Sequence, residues 1–251
     1  IGDYAFSNTG LTSVTIPDSV TYIGSHAFDQ VSSLESVTLG SGLQTIGQYA
    51  FHLTGLTSVT IPDLVTNIGR SAFAFTNRDD GSLTSLVLGS SVQIIDAYAF
   101  EGHMGLTSVT IPDSVTSIGA YAFSNTGLTS LVIPDTLTTI NNRAFQNTKL
   151  TTLTIPDSVT HIGDYAFLGL SDTLTSLKIG SGVTSFSSSA FSGLCDTDSV
   201  LVSAELNVQE IPGYLLNSCH KLTSLVLGSS VQIIGDYAFS NTGLTSVTIP
   251  D

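Results

Sequence analysis

The chain has 251 residues, enough for one large domain or two ordinary ones, and 41% of them are hydrophobic, so material for a core is ample. Only 10% are Asp, Glu, Lys or Arg, yet the formal net charge is -14, with six Lys and Arg in total. That balance excludes nucleic acid as a partner, because phosphate binding needs clustered cations, and it sets the chain against a bare anionic membrane surface.

The polar surface has to come from Ser, Thr, Asn and Gly, a composition typical of secreted or cell-wall material and one that places the chain outside the cell or on its surface. No stretch of about 18 apolar residues occurs, so no helical membrane insertion is expected. The first residue already lies inside a repeating pattern, and the chain reads as a mature product or a window of something longer.

In chain order, the first predicted element is a strand over residues 11–16. Leu11, Val14 and Ile16 are apolar while Ser13 and Thr15 alternate with them, the period-two pattern of a half-buried strand. Pro17 and Asp18 end it: proline cannot donate to a ladder, and the Asp side chain bonds backbone nearby. A second short apolar segment follows with Val20 and Ile23. A helical or 3-10 turn carrying Ala27 and Phe28 comes next.

This pattern then recurs along the chain. Ala-Phe returns with its Phe at positions 6, 28, 51, 73, 100, 123, 145, 167, 191 and 239, and Leu216 stands in once; the spacing is 22 to 27 residues. At some corners Gly-Ser replaces Pro-Asp, as at Gly40-Ser41 and Gly89-Ser90. Longer units carry the insertions 74–83, 168–174 and 192–199. A single unit cannot bury its own apolar edge, whereas stacking buries Leu on Leu, Ile on Ile and Phe on Phe.

The expected fold is therefore a repeat solenoid of about ten units, treated as a single domain over 1–251. Each unit has one short strand in a parallel sheet, a second short strand or turn, and a 3-10 or helical turn on the opposite side. Residues 1–18 recur unchanged as 234–251, an offset of 233 residues, and LTSLVLGSSVQII stands at both 83–95 and 222–234. Exposed Ser7, Asn8 and Thr9 need no copying for packing, so the identity points to duplication of a block. The solenoid is expected to lack caps and to be a segment of a longer array with itself as partner, head to tail or as a continuous chain.

The residues L-x-x-[VL]-x-[IL]-P-x-x-[VL]-x-x-I-G-x-x-A-F resemble the BspA-like class of leucine-rich repeats over essentially the whole sequence. The resemblance implies a surface or secreted protein associated with adhesion and with contact to a host or matrix protein or glycan, and it implies no enzyme. Residues 199–216 depart from the pattern, lacking both the corner Pro-Asp and the Ala-Phe.

No nucleophile elbow, zinc-protease helix, phosphate loop or paired-cysteine zinc pattern occurs, and the S-x-x-K spelling at Ser218 and Lys221 lacks its partners, so neither catalytic nor cofactor-binding residues are expected. His26, His52, His103, His161 and His220 fall at different places in their units and read as solvated surface or turn residues. Cys195 and Cys219 sit at nearly equivalent places in adjacent units, within reach of a disulfide or left as two free thiols.

Asp18, Asp63, Asp113, Asp135, Asp157 and Asp251 form a corner column whose expected role is turn capping. Asp196 and Asp198 are the candidate calcium ligands. For partner contact the candidates are the outward Ser and Thr of the first strand, among them Ser13, Thr15, Thr60 and Thr110, together with Tyr121 from the column two residues before Phe. Arg78, Asp79 and Asp80 of the first insertion complete the set.

Overall fold

A computed structural model describes residues 1–75, 83–184 and 186–250. The chain is a parallel β-solenoid that divides into two compact units, Ile1–Leu128 and Thr129–Asp251. Among the described residues there is no α-helix, and the only regular helical segment is the 3-10 turn Ser188–Phe191.

In the first unit the most continuous ladder is made by the second, two-residue strands. Tyr22–Ile23, Thr45–Ile46, Asn67–Ile68, Ile94–Ile95 and Ser117–Ile118 pair in parallel and in sequence order. The register sets Ile23, Ile46, Ile68, Ile95 and Ile118 in one column, every member fully buried. The first strands form two separate ribbons, Ser13–Thr15 with Ser36–Thr38 and Ser58–Thr60 with Ser85–Val87.

In the second unit the first strands run further, with Thr152–Ile155, Ser176–Ile179, Ser203–Leu206 and Ser224–Leu227 joined in one four-stranded sheet. Two ribbons of second strands lie in the same unit, Thr139–Ile140 with His161–Ile162 and Glu210–Ile211 with Ile233–Ile234.

First-strand pairing tracks the corner residue. A ladder to the preceding unit is present where that residue is Gly40, Gly89, Gly180, Asn207 or Gly228. Among the described residues none is present where it is Pro62, Pro112, Pro156 or Pro250. The N–H groups of Gly180, Asn207 and Gly228 donate to the carbonyls of Ile155, Ile179 and Leu206 at 2.9, 3.0 and 2.9 Å. Proline has no N–H to offer at that rung. The strands expected at 106–111 and 128–133 are accordingly not regular strands, although their Leu and Ile residues remain buried.

Asn207→Pro should detach Ser203–Leu206 from Ser176–Ile179 and lower the unfolding free energy by about 1–3 kcal/mol, the cost of leaving a carbonyl unpaired. Asn207→Gly, which keeps the N–H, is the control in urea denaturation. Equal midpoints for the two variants would show that the rung carries no stability.

The Ala-Phe turn differs from the helical turn expected. Instead of one handedness, its residues alternate. The residue two before Phe has positive φ at Tyr4, His26, Tyr49, Ser71, Tyr98, Tyr121, Arg143, Tyr165 and Tyr237, and so does Tyr214 before Leu216. The residue two after Phe does so at Asn8, Gln30, Leu53, Gly102, Asn125, Asn147, Gly169, Gly193 and Asn241. Left-handed backbone costs roughly 1–2 kcal/mol for a residue with a Cβ, but the alternation points successive N–H groups toward the next unit. Tyr4, Phe6 and Asn8 donate to the carbonyls of Ser25, Ala27 and Asp29 at 2.9, 2.8 and 2.9 Å, and later turns repeat the scheme.

The turn is closed by threonine. The hydroxyls of Thr9, Thr54, Thr126, Thr148 and Thr242 donate to the carbonyls of Phe6, Phe51, Phe123, Phe145 and Phe239 at 2.8 to 3.0 Å.

The phenylalanines stack inside these turns. In the first unit Phe6, Phe28, Phe51, Phe73, Phe100 and Phe123 lie face to face with centroids 5.1 to 5.4 Å apart. Phe145, Phe167 and Phe191 do the same in the second, at 5.6 and 5.4 Å.

Candidate interaction surfaces

Three members of the corner column bond to the neighbouring unit. The carboxylate of Asp18 accepts from the Ser41 N–H at 2.7 Å, Asp63 from Ser90 N–H and hydroxyl at 2.9 and 3.1 Å, and Asp157 from Ser181 at 2.7 and 3.0 Å. These bonds, the backbone N–H first and the serine hydroxyl second, hold all three carboxyls below the ordinary carboxylate range. Pro17-Asp18, Pro62-Asp63 and Pro156-Asp157 each have Gly-Ser above them, for a steric reason as well, whereas Pro112-Asp113 and Pro134-Asp135 have Pro-Asp above them. A Cβ on Gly40, Gly89 or Gly180 would collide with the backbone of Pro17, Pro62 or Pro156 in the unit below. A sequence reader sees both corners without seeing that they are complementary.

Where the order reverses, Gly40 below Pro62, the surface opens. A groove of about 890 Å³ lies there, flanked by Asp18 and Asp63, with Thr38, Ser58 and Thr60 as hydroxyl donors and Leu64 at its rim. Ile16 and Ile61 donate their N–H groups to the carbonyls of Thr38 and Val87 in the units above them. The equivalent Leu39, which lines the groove, has no such bond among the described residues.

Of the residues expected at a contact surface, Ser13, Thr15, Thr60 and Thr110 are exposed. Ser13, Thr15 and Thr60 are strand residues, whereas Thr110 lies in a segment that is not a regular strand. Lys178, which interrupts the hydroxyl ladder, pairs with Glu205 on the adjacent strand at 2.8 Å and depresses that carboxyl. Arg78, Asp79 and Asp80, like Asp251, lie outside the described residues.

His161 and His220 are exposed, as expected, and His26 and His52 lie half-buried in their turns, whereas His103 departs from the expected placement. Both oxygens of buried Asp29 are engaged, one by His26 Nδ1 at 2.8 Å and the other by His52 Nδ1 at 2.9 Å. His103 is buried as well, with Nε2 2.6 Å from the Phe73 carbonyl. The His52 and His103 contacts join positions 23 and 30 residues apart, so periodicity along the sequence carries no sign of them.

Tyr121 belongs to a second, outer stack. Tyr4, His26 and Tyr49 are stacked at 4.7 Å, Tyr98 and Tyr121 at 4.6 Å. Between them Ser71 has no ring, and Arg70 fills the place: its guanidinium bonds Tyr49 and lies 4.8 Å from the Tyr98 centroid.

The structure joins Cys195 and Cys219 in a disulfide with Cα atoms 4.5 Å apart. Asp196 accepts from the N–H of Asp198 at 3.0 Å, and both side chains are exposed. Among the described residues no three His, Cys, Asp or Glu side chains converge as a metal site, and no helix is long and apolar enough to cross a membrane.

Comparison with known proteins agrees with this geometry. A family model described as the BspA type leucine rich repeat region matches in six copies, over residues 1–80, 74–197 and 138–251. A leucine-rich repeat protein from Bacteroides ovatus is 24% identical with a TM-score of 0.52, covering 96% of this chain and 67% of that one. A leucine rich cell surface protein from Faecalibacterium prausnitzii is 25% identical over 90% of this chain and 82% of that one, with a TM-score of 0.40. The pneumococcal vaccine antigen PcpA is 19% identical over 94% and 70%, with a TM-score of 0.48. No curated protein matches. With the family model spanning the sequence from end to end, the chain belongs to the BspA-type leucine-rich repeat family.

Proposed function

We propose that this protein is a non-catalytic, extracellular structural repeat protein whose solenoid continues end to end in a filament, stalk or surface layer. The observation that carries the reading is the bonding of one 18-residue sequence at two places. In residues 1–18, the N–H groups of Tyr4, Phe6 and Asn8 are used by the unit above. In the identical residues 234–251, the carbonyls of Asp236, Ala238 and Ser240 are used by Tyr214, Leu216 and Ser218 below. The same sequence is thus competent on both faces, and a further 233-residue block satisfies both in one register. The disulfide and the Thr-rich, Lys-poor composition support an extracellular setting.

A tandem chain, residues 1–233 followed by 1–251, tests this. Continuous stacking lengthens the particle by ten strand spacings, about 48 Å, in small-angle scattering and electron microscopy. Two independently tumbling bodies in the tandem would sink the reading.

The second reading is a surface binding module that takes a protein or glycan on the strand face. It draws support from the groove beside Asp18 and Asp63, where hydroxyls, carboxylates and a free backbone edge meet. Saturable glycan or protein binding that Thr60→Ala abolishes would favour it.

A further inference from the structure

We propose that the second compact unit carries an arginine-recognition slot between Tyr165 and Tyr214, a site for the guanidinium of a partner protein's arginine, independent of any end-to-end array.

The slot is an empty rung in the outer aromatic stack. Tyr165, Ser189 and Tyr214 occupy the same place in three successive units, two residues before Phe167, Phe191 and Leu216. Each tyrosine is already covered on its far side, Tyr165 by the Arg143 guanidinium at 4.9 Å and Tyr214 by the Tyr237 ring at 5.1 Å. Ser189, between them, supplies no ring. A crevice of about 360 Å³ lies there, lined by Tyr165, Ser189, Tyr214, Leu215 and Asn217.

The crevice exists because the backbone ladder fails at this unit. Elsewhere the turn donates three N–H groups to the carbonyls of the next turn. Here the turn is wound as the 3-10 segment Ser188–Phe191, and the Ser189 N–H donates to the hydroxyl of Ser187 in its own turn. The carbonyls of Leu215 and Asn217 consequently have no protein donor among the described residues. The disulfide between Cys195 and Cys219 ties the two turns together in place of those bonds.

The molecule itself shows which group fits. Its other serine rung, at Ser71, is filled by a guanidinium that bonds Tyr49 and covers Tyr98, and where the rung residue is Arg143 its own guanidinium covers Tyr165. At Ser189 no Lys or Arg stands in the adjacent sequence, since residues 186–195 read FSSSAFSGLC. The vacant place offers two aromatic faces and two carbonyls, and Asp164 stands beside it, accepting from Ser189 Oγ at 2.6 Å. A guanidinium has five donors, no acceptor, a flat face for each ring and a positive charge for a chain of net charge -14. A lysine ammonium matches the charge but neither the planarity nor the fork of donors.

The test is a titration of the intact, oxidised chain with acetyl-Gly-Arg-Gly-amide, followed by NMR of the tyrosine ring resonances. The expected result is saturable binding with a Kd on the order of 1 mM, as suits one stacked cation, and at least roughly tenfold weaker binding of the lysine peptide. Ser189→Tyr, which puts the ring of most other units of this chain into the rung, should abolish binding while leaving circular dichroism and the unfolding midpoint at or above the parent's. Tyr214→Ala should abolish it too, and Tyr214→Phe should keep it. The proposal is overturned if the arginine peptide gives no saturable shift, if lysine or phenylalanine peptides bind equally well, or if Ser189→Tyr still binds. The tandem-chain experiment can fail without touching this result, and the reverse also holds.

Discussion

Replacing Phe100 by alanine is expected to lower the unfolding free energy by about 3–5 kcal/mol, the largest effect of any single side chain removed from this core. Phe100 is fully buried and stacked at 5.4 Å on both Phe73 and Phe123, so its loss forfeits the burial of one ring and two aromatic contacts and opens a cavity in the middle of the column. The backbone around it is held by the Phe73 and Phe100 N–H bonds to Ala99 and Ala122, which restrains collapse into the space. Phe100→Leu, which refills most of the volume, should cost about 1–1.5 kcal/mol. Urea denaturation of the two variants makes the comparison, and hydrogen exchange should show the loss concentrated in the units bearing Phe73, Phe100 and Phe123, because each repeat touches only its neighbours. A loss below about 1 kcal/mol for the alanine variant would mean that the phenylalanine column is not the core of the stack.

Removing the disulfide by the double substitution Cys195→Ala and Cys219→Ala should cost about 3 kcal/mol, the chain-entropy expectation for a sequence separation of 24. The effect is sharpened by the local structure, since the turn at Ser188–Phe191 does not make the usual N–H bonds to the turn at Tyr214. The same loss should appear when the parent chain is reduced, and reduction should leave the double variant unchanged. Equal stability of the oxidised and reduced parent would show that the joint is held by packing alone.

Much of the architecture was legible because packing in a stack demands repetition. Ile23, Ile46 and Ile68 must recur to form a buried column, and so must the phenylalanines; an amino-acid sequence records that demand as a period. The use of Pro-Asp or Gly-Ser was legible as a corner but not as a pairing rule. For Gly180, Asn207 and Gly228 the rule needs the knowledge that the corner N–H meets a carbonyl of the unit below, which only the register supplies. Asn at the position after the Ala-Phe turn is a trace of left-handed backbone; tyrosine in the same conformation leaves none, because its strain is offset by bonds to residues more than 20 positions away.

The candidate surfaces divide in the same way. The cysteines stood at matching places in adjacent units, so their proximity followed from the repeat itself. The Asp29 carboxylate between His26 and His52, the guanidinium of Arg70 in place of a ring, and the vacant rung at Ser189 had no periodic signature. By itself, then, the sequence determined the solenoid, its apolar columns and its repeat family, because those depend on what every unit shares. The tertiary structure alone decided where ladders break, which turns lose their bonds and where the surface opens. Those features arise where one unit differs from its neighbour, and their energy lies in contacts across the stack.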